Sequence, residues 1–267
     1  MSEGGATGRS AVCTCGGRRS GRPQVNGVGF EPISPDNLVE QVERFRRCGR
    51  SHVVHFCAAH PMVVARSDLA YRDVLNRGLN VPDGMGVVLA LRLLGQQAQR
   101  LPGSDAFALL CERGVGAGVR HYLFGGRPEI VDHLRQTLRA RYPGIRVVGA
   151  ESPPFRPMSE RELSDASARI QRAGTDLLWV GLGAPKQDWV AEHLRERGSA
   201  PVILCVGAAF DFLSGAKRRA PKWMQRSGLE WLYRLACEPR RLWRRYVVGN
   251  VVFAAVVLSD YVRRGRR

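Results

Sequence analysis

A chain of 267 residues is long enough for one large α/β domain, or for one domain and an appendage. Its 44% apolar content allows a substantial core and excludes a disordered chain. Its 41 basic against 24 acidic residues leave a formal charge of +17, which points to an anionic partner: nucleic acid, a phosphorylated small molecule or an anionic membrane surface.

The first 24 residues are rich in Gly, Ser and Arg and carry no apolar signal segment, so they are expected to form a disordered tail. From about Val25 short apolar runs alternate with amphipathic stretches. Ser34 before Pro35 predicts an N-cap and a helix over 35–46. A strand follows over 52–57, a helix over 67–75 and a strand over 79–81. The stretch V-P-D-G-M-G then turns a corner into a helix over 85–94, with the lone acid Asp83 on the corner. Further strands are predicted at 121–124, 146–148, 176–180 and 202–206. Helices are predicted at 128–139, 159–172 and 185–195. This βαβα rhythm implies an α/β fold: a mostly parallel sheet with helices on both faces.

The character changes after residue 215. Residues 217–267 hold 14 Lys or Arg against three acids (Glu230, Glu238, Asp260), a net +11, with Trp223, Trp231 and Trp243 among them. They predict a basic amphipathic appendage of about two helices, suited to phosphates or anionic lipid. The expected division is a tail (1–24), a core (25–215) and an appendage (216–267). The longest apolar stretch, 251–258, falls well short of the ~20 residues of a spanning helix, so a peripheral membrane contact is expected.

Seven cysteines at irregular spacing argue against a disulfide framework and for a reducing compartment. Cys13-x-Cys15 has no second pair at zinc-site spacing. His52, His55 and His60 form no metal triad, because strand alternation sends the first two to opposite faces.

In an open parallel sheet, ligands bind beyond the carboxyl ends of the strands. Four glycine-marked turns fall there: Asp83-Gly84, Gly125-Gly126, Gly181-Leu182-Gly183 and Gly207. With the basic balance they favour a phosphate-bearing ligand. No P-loop is present, and Gly114-Val115-Gly116-Ala117-Gly118 precedes a strand where a dinucleotide fingerprint would follow one. There is no Asp-x-Asp to hold a metal on a sugar-nucleotide diphosphate, so cationic side chains and helix N-termini must neutralise it. There is also no Gly-x-Ser-x-Gly elbow. Asp83 reads equally as a helix cap or as a reactive acid. Glu230, within the appendage, reads as an ion-pair partner.

The set PDGMGVV (82–88), RLPGSD (100–105), LFGG (123–126), ARYPGIRVVG (140–149), SPPF (152–155), VGLGAPKQDW (180–189), FDFLSG (210–215), RAPKWMQRSGLEWLYRL (219–235) and EPRRLWRRY (238–246) resembles the WecG/TagA/CpsF family of bacterial glycosyltransferases, in order from about Val25 to Leu258. The resemblance implies a Rossmann-like fold whose C-terminal appendage completes the active site. It implies an inverting enzyme that needs no metal or other cofactor. Such an enzyme moves N-acetylmannosamine, glucose or a uronic acid from a UDP donor to a sugar on polyprenyl diphosphate, at the cytoplasmic face of the bacterial membrane. Some relatives form dimers or trimers. By motif, Asp83 matches the general base, with the following helix dipole expected to lower its pKa. Arg100 matches an arginine near the donor phosphates or acceptor, and Gln187 an active-site glutamine. Arg234, Arg241 and Arg244 match arginines that close over the leaving diphosphate. Gly125, Gly126, Gly181 and Gly183 lie in the ligand-side turns. One departure stands out. Where many members carry Thr-x-Asn, this chain has Phe56-Cys57-Ala58, with His60 as a nearby polar substitute. It leaves open a second reading, a weakly active member that binds lipid-linked intermediates or scaffolds polysaccharide assembly. Nucleic-acid binding is set aside, because the excess charge sits in an appendage that matches the family.

Overall fold

The computed structural model describes residues 21–265. Most of the expected N-terminal tail therefore lies outside the described residues. The chain opens on a hairpin, β1 (Gln24–Val25) and β2 (Val28–Gly29), turned by Asn26 and Gly27, both at positive φ. Asn-Gly suits that turn because both central residues need the left-handed region.

Next come α1 (Pro35–Arg47), β3 (His52–Cys57), α2 (Ala59–Ser67), α3 (Leu69–Arg77), β4 (Leu79–Pro82), α4 (Met85–Leu93) and α5 (Gly103–Gly114). They are followed by β5 (Arg120–Gly125), α6 (Pro128–Arg141), β6 (Arg146–Glu151), α7 (Glu160–Arg172), β7 (Leu177–Gly181), α8 (Lys186–Glu196), β8 (Val202–Cys205) and α9 (Ala209–Leu213). Local chemistry sets the helix starts. Ser34 caps α1 by accepting from the Asn37 amide, Asp68 caps α3, and Ser159 with Glu162 forms a capping box on α7.

Six strands pair in parallel in the order β4-β3-β8-β7-β5-β6, which is the expected Rossmann-like α/β arrangement. Alternation along the strands builds two cores. Val54, Phe56, Leu123, Trp179 and Leu204 meet α1, α5, α6 and α9 on one face. Val53, Phe124, Leu178, Val180 and Ile203 meet α7 and α8 on the other. His52 stacks on Phe45 of α1 and His55 bonds Asp188 of α8, so the two histidines do point to opposite faces.

Three expectations change. The helix expected over 67–75 is α3, which Asp68 caps, and α2 before it was not anticipated. Helix α5 was not anticipated. The appendage holds more than two helices: α10 (Lys222–Arg226), α11 (Glu230–Cys237), α12 (Pro239–Trp243), a π-helical segment (Arg244–Val248) and α13 (Gly249–Gly265).

The last three segments run on as one helix. Its stretch Pro239–Val262, 24 residues containing an 18-residue window of mean hydropathy 1.4, is long and apolar enough to cross a membrane by length and composition. The short apolar run in the sequence did not suggest this. Yet α13 is docked on its own protein. Phe253 is buried with Val25, Met62 and Val88, and Asp260 accepts a 2.8 Å hydrogen bond from the Asn26 amide in the hairpin turn. Its other side leaves Val251, Leu258, Tyr261 and Val262 exposed.

Candidate active site

A groove of about 1860 Å³ runs along the carboxyl edge of the sheet, roofed by the appendage. Its floor comes from the turns after β3, β4, β5, β7 and β8, and its roof from α11 to α13. That is where crossover topology leaves strand ends open to ligand.

Asp83 sits on this floor. The Cys57 carbonyl accepts from its amide at 2.9 Å, and the Asp83 carbonyl accepts from Arg100 Nε at 2.6 Å. Gly84, not Asp83, is the N-cap of α4, and no side chain caps that helix. The Asp83 carboxylate is thus free of the capping task. The expected fall in its pKa is overturned. Burial pushes the carboxyl up to about 6 and the Glu230 carboxylate adds to that, while Arg100, Arg234 and Arg219 pull the other way.

Three acids line the groove. Glu230 is held by Arg100 at 2.5 Å and Asp211 by Lys217 at 3.0 Å. Among the described residues no cation or hydrogen-bond donor holds the Asp83 side chain.

Arg100 lines the groove with three of its five N–H donors taken by protein: the carbonyls of Asp83 and Gln225 and the carboxylate of Glu230. It fastens the appendage to the Asp83 corner. Glu230 is the ion-pair partner it was expected to be. Gln187 is largely buried but lines the groove floor, and its Oε1 accepts from the amides of Gly183 (3.2 Å) and Gly207 (2.9 Å). It ties together the turns after β7 and β8.

Gly126, Gly181 and Gly183 line the groove; Gly125 does not. Gly125 has φ 142, and a Cβ there would lie 2.6 Å from the Gly181 carbonyl, so its part is the close approach of β5 to β7. His60 lines the groove, and burial with the nearby Arg245 holds its imidazole down to about 4, hence neutral at pH 7. Phe56 and Ala58 also line it. Ala58 touches the Asp83 corner: a Cβ on Gly84 would meet the Ala58 Cβ at 3.0 Å.

In the roof, Arg234 and Arg241 line the groove, and Arg244 does not. Arg244 is exposed and lies over the Trp243 ring. The third roof arginine is Arg245. Its Nε is buried without a hydrogen-bond partner, and burial lowers its pKa. Motif matching picked the neighbour, Arg244, which begins the π-helical segment.

Among the described residues one cluster carries metal-ligand types: His55, Asp188 and Cys205, with ligand atoms within 4.8 Å of one another. All three are buried and none lines the groove. Both Asp188 oxygens are engaged, one by His55 Nδ1 at 2.8 Å and the other by the Tyr71 hydroxyl at 2.7 Å. Burial first, and then Asp188, raise the Cys205 thiol well above its ordinary value, which keeps it protonated. These groups form a hydrogen-bonded brace behind the turn that carries Gln187.

A carboxylate left free on the floor and arginines in the roof suit group transfer from a phosphorylated donor. The family model described as Glycosyl transferase WecG/TagA/CpsF family matches residues 23–267, nearly the whole chain, and the chain belongs to this glycosyltransferase family.

Proposed function

We propose that this protein transfers a sugar from a UDP donor, with inversion, to an acceptor sugar on polyprenyl diphosphate, at the inner face of the bacterial membrane, in cell-surface polysaccharide synthesis. One observation carries the reading. Of the groove's three acids, Asp83 alone is left without a cation partner among the described residues, beneath Arg234, Arg241 and Arg245.

In this reaction the Asp83 carboxylate takes the proton from the acceptor hydroxyl. The freed oxygen attacks the anomeric carbon from the face opposite UDP, and the C–O bond to the phosphate breaks with its electron pair leaving on UDP. A base held up to about 6 is ionised at pH 7–8 and is more basic than an ordinary carboxylate. Negative charge grows on the departing diphosphate, where fixed guanidinium groups stabilise the transition state more than the ground state. The donor set favours a metal-independent route. Two of the three acids are occupied by Arg100 and Lys217, leaving no carboxylate pair for a divalent ion.

The exposed Val251, Leu258, Tyr261 and Val262 on a basic helix, docked to the core on its other side, support an appendage that lies along an anionic membrane. A lipid-borne acceptor then reaches the groove without leaving the bilayer.

The test is a mass-spectrometric screen of UDP-sugars with a polyprenyl-diphosphate sugar acceptor on vesicles, comparing the unaltered chain with Asp83→Asn. Product from the unaltered chain alone supports the assignment, and equal product from both removes Asp83 from the base role. The apolar Phe56 and Ala58 at the corner favour one alternative, a binding or scaffolding member. No product from either chain, with retained acceptor binding, is the result that reading expects.

A further inference from the structure

Lys186 opens α8 at the rim of the groove, and its ammonium is consumed by the protein's own backbone. Nζ donates to the carbonyls of Pro154 (3.0 Å), Phe155 (2.8 Å) and Arg156 (2.9 Å), using all three of its protons. The same nitrogen lies 5.8 Å from the centre of the Phe155 ring. Upstream, Ser152 Oγ donates to the Gly126 carbonyl at 2.6 Å. Downstream, Arg156 makes a two-pronged pair with Glu162 at 2.7 and 2.9 Å. Two prolines, Pro153 and Pro154, stiffen the span between.

So much bracing on a loop would ordinarily serve to bury its apolar residue. Here it does the reverse. Phe155 is fully exposed, at 102% of its reference area, and it lines the groove. A lysine is spent holding a bare aromatic ring at the edge of a ligand site, and a large apolar ring left in water has every incentive to be covered.

The place along the groove limits what covers it. Asp83 follows β4, at one edge of the sheet, and Lys186 follows β7. Three interstrand steps separate β4 from β7, about 14 Å at ordinary strand spacing. A nucleoside diphosphate sugar whose anomeric carbon lies at Asp83 must extend along the groove past the roof arginines, and it ends in a flat ring. We propose that Phe155 is the stacking platform for the nucleobase of the donor, held in place by Lys186, which acts as a positioning residue and not as a phosphate ligand. This rests on the reading that a nucleoside diphosphate sugar is the donor.

The test measures calorimetric binding of UDP and of inorganic pyrophosphate to the full chain, and to Phe155→Ala, Phe155→Tyr and Lys186→Met. Base–aromatic stacking predicts that Phe155→Ala weakens UDP binding on the order of 10- to 100-fold, leaves pyrophosphate binding unchanged, and is rescued by Phe155→Tyr. Lys186→Met should weaken UDP by a smaller factor and again spare pyrophosphate; an equal loss for both ligands would make it a phosphate contact. In steady state the Phe155→Ala change should raise the donor KM with kcat near its original value. UDP affinity unchanged in Phe155→Ala overturns the stacking role, as does a rise in acceptor KM alone, which would assign the ring to the acceptor or the lipid. No binding of UDP by the unaltered chain overturns the donor reading itself, and this inference with it. The Phe155 ring is wholly exposed, so its substitution leaves the core intact, and circular dichroism verifies the fold.

Discussion

Replacing Asp83 by Asn should make the protein more stable and nearly inactive, and pH separates the two effects. Burial raises the carboxyl from an ordinary 3.8 to about 6. That is 6 − 3.8, about 2.2 units, worth about 3 kcal/mol at ~1.36 kcal/mol per unit. Because the folded value lies above the unfolded one, the unfolded chain ionises first. The penalty is absent below pH 3.8, grows between 3.8 and 6, and is constant above 6. Asparagine keeps the shape and never carries the charge. At pH 8 the variant should gain up to about 3 kcal/mol, a rise of roughly 4–6 °C in Tm for a chain of this size. At pH 4 the two melting curves should nearly coincide. Loss of the general base should cost about 10²–10⁴ in kcat, and the unaltered chain should itself lose activity as pH falls through 6. Scanning calorimetry at pH 4, 6 and 8 alongside a transfer assay makes the comparison. A Tm difference independent of pH would refute the buried-charge argument, and a variant with full turnover would refute the catalytic one.

Arg245→Gln should lower kcat about 10²–10³-fold while Arg244→Gln leaves it near normal, because only the first guanidinium faces the groove; the reverse ranking in a steady-state assay would restore the sequence-based assignment. Asp188→Ala strands His55 Nδ1 and the Tyr71 hydroxyl in the core and should cost about 2–5 kcal/mol in urea melts, against almost nothing for a surface acid such as Asp132→Ala. His52, His60 and His121 are each held down to about 4, chiefly by burial, so the unfolded chain binds protons that the folded chain refuses. Stability should be full above pH 6.5 and fall as pH drops toward 4, by up to about 3 kcal/mol for the fully buried His121. Urea melts are best run in the Asp83→Asn background, since Asp83 acts in the opposite direction over the same window; a flat profile there would contradict the burial of these rings.

Strands β5, β7 and β8 were readable because an apolar run meets glycine at its end, and the runs at 52–57 and 202–206 land on β3 and β8 to within a residue. Helix α2 has no N-cap side chain to announce it in the sequence, and its Pro61 falls in the first turn, where the missing N–H is no loss. Helix α5 was missed because Gly103, Ser104, Cys111 and Gly114 blur its apolar stripe; they are small because that helix face is buried. Asp83 was visible as a site residue, but the direction of its titration was not. Cap and base differ by one hydrogen bond, and part of the charge that acts on Asp83, from Glu230 and Arg234, comes from an appendage about 150 residues away in sequence. Arg245 was passed over because a motif match does not say which of two adjacent arginines the helix turns toward the groove.

The features on which these proposals rest share a cost in stability. Asp83 keeps an ionisable acid where ionisation is disfavoured, Arg245 buries a guanidinium nitrogen with no partner, and Phe155 holds an aromatic ring in water with a lysine bound to its own backbone. Each would be easy to remove in a sequence shaped for stability alone, by Asn, Leu and Ser respectively. All three line one groove. Unpartnered buried nitrogens also occur outside the groove, at Gln41 and His121 among others, but a raised acid, an unpartnered guanidinium nitrogen and a bare aromatic ring gathered at one opening are what ligand chemistry leaves in a fold. On that account each conflict has its own remedy in the bound state. The acid's proton comes from the acceptor hydroxyl, the guanidinium's partner is the diphosphate, and the ring is covered by the base. A donor complex should therefore lift the thermal midpoint by more than the same ligand does in a Phe155→Ala or Arg245→Gln chain, since in those variants one of the conflicts it resolves is already gone.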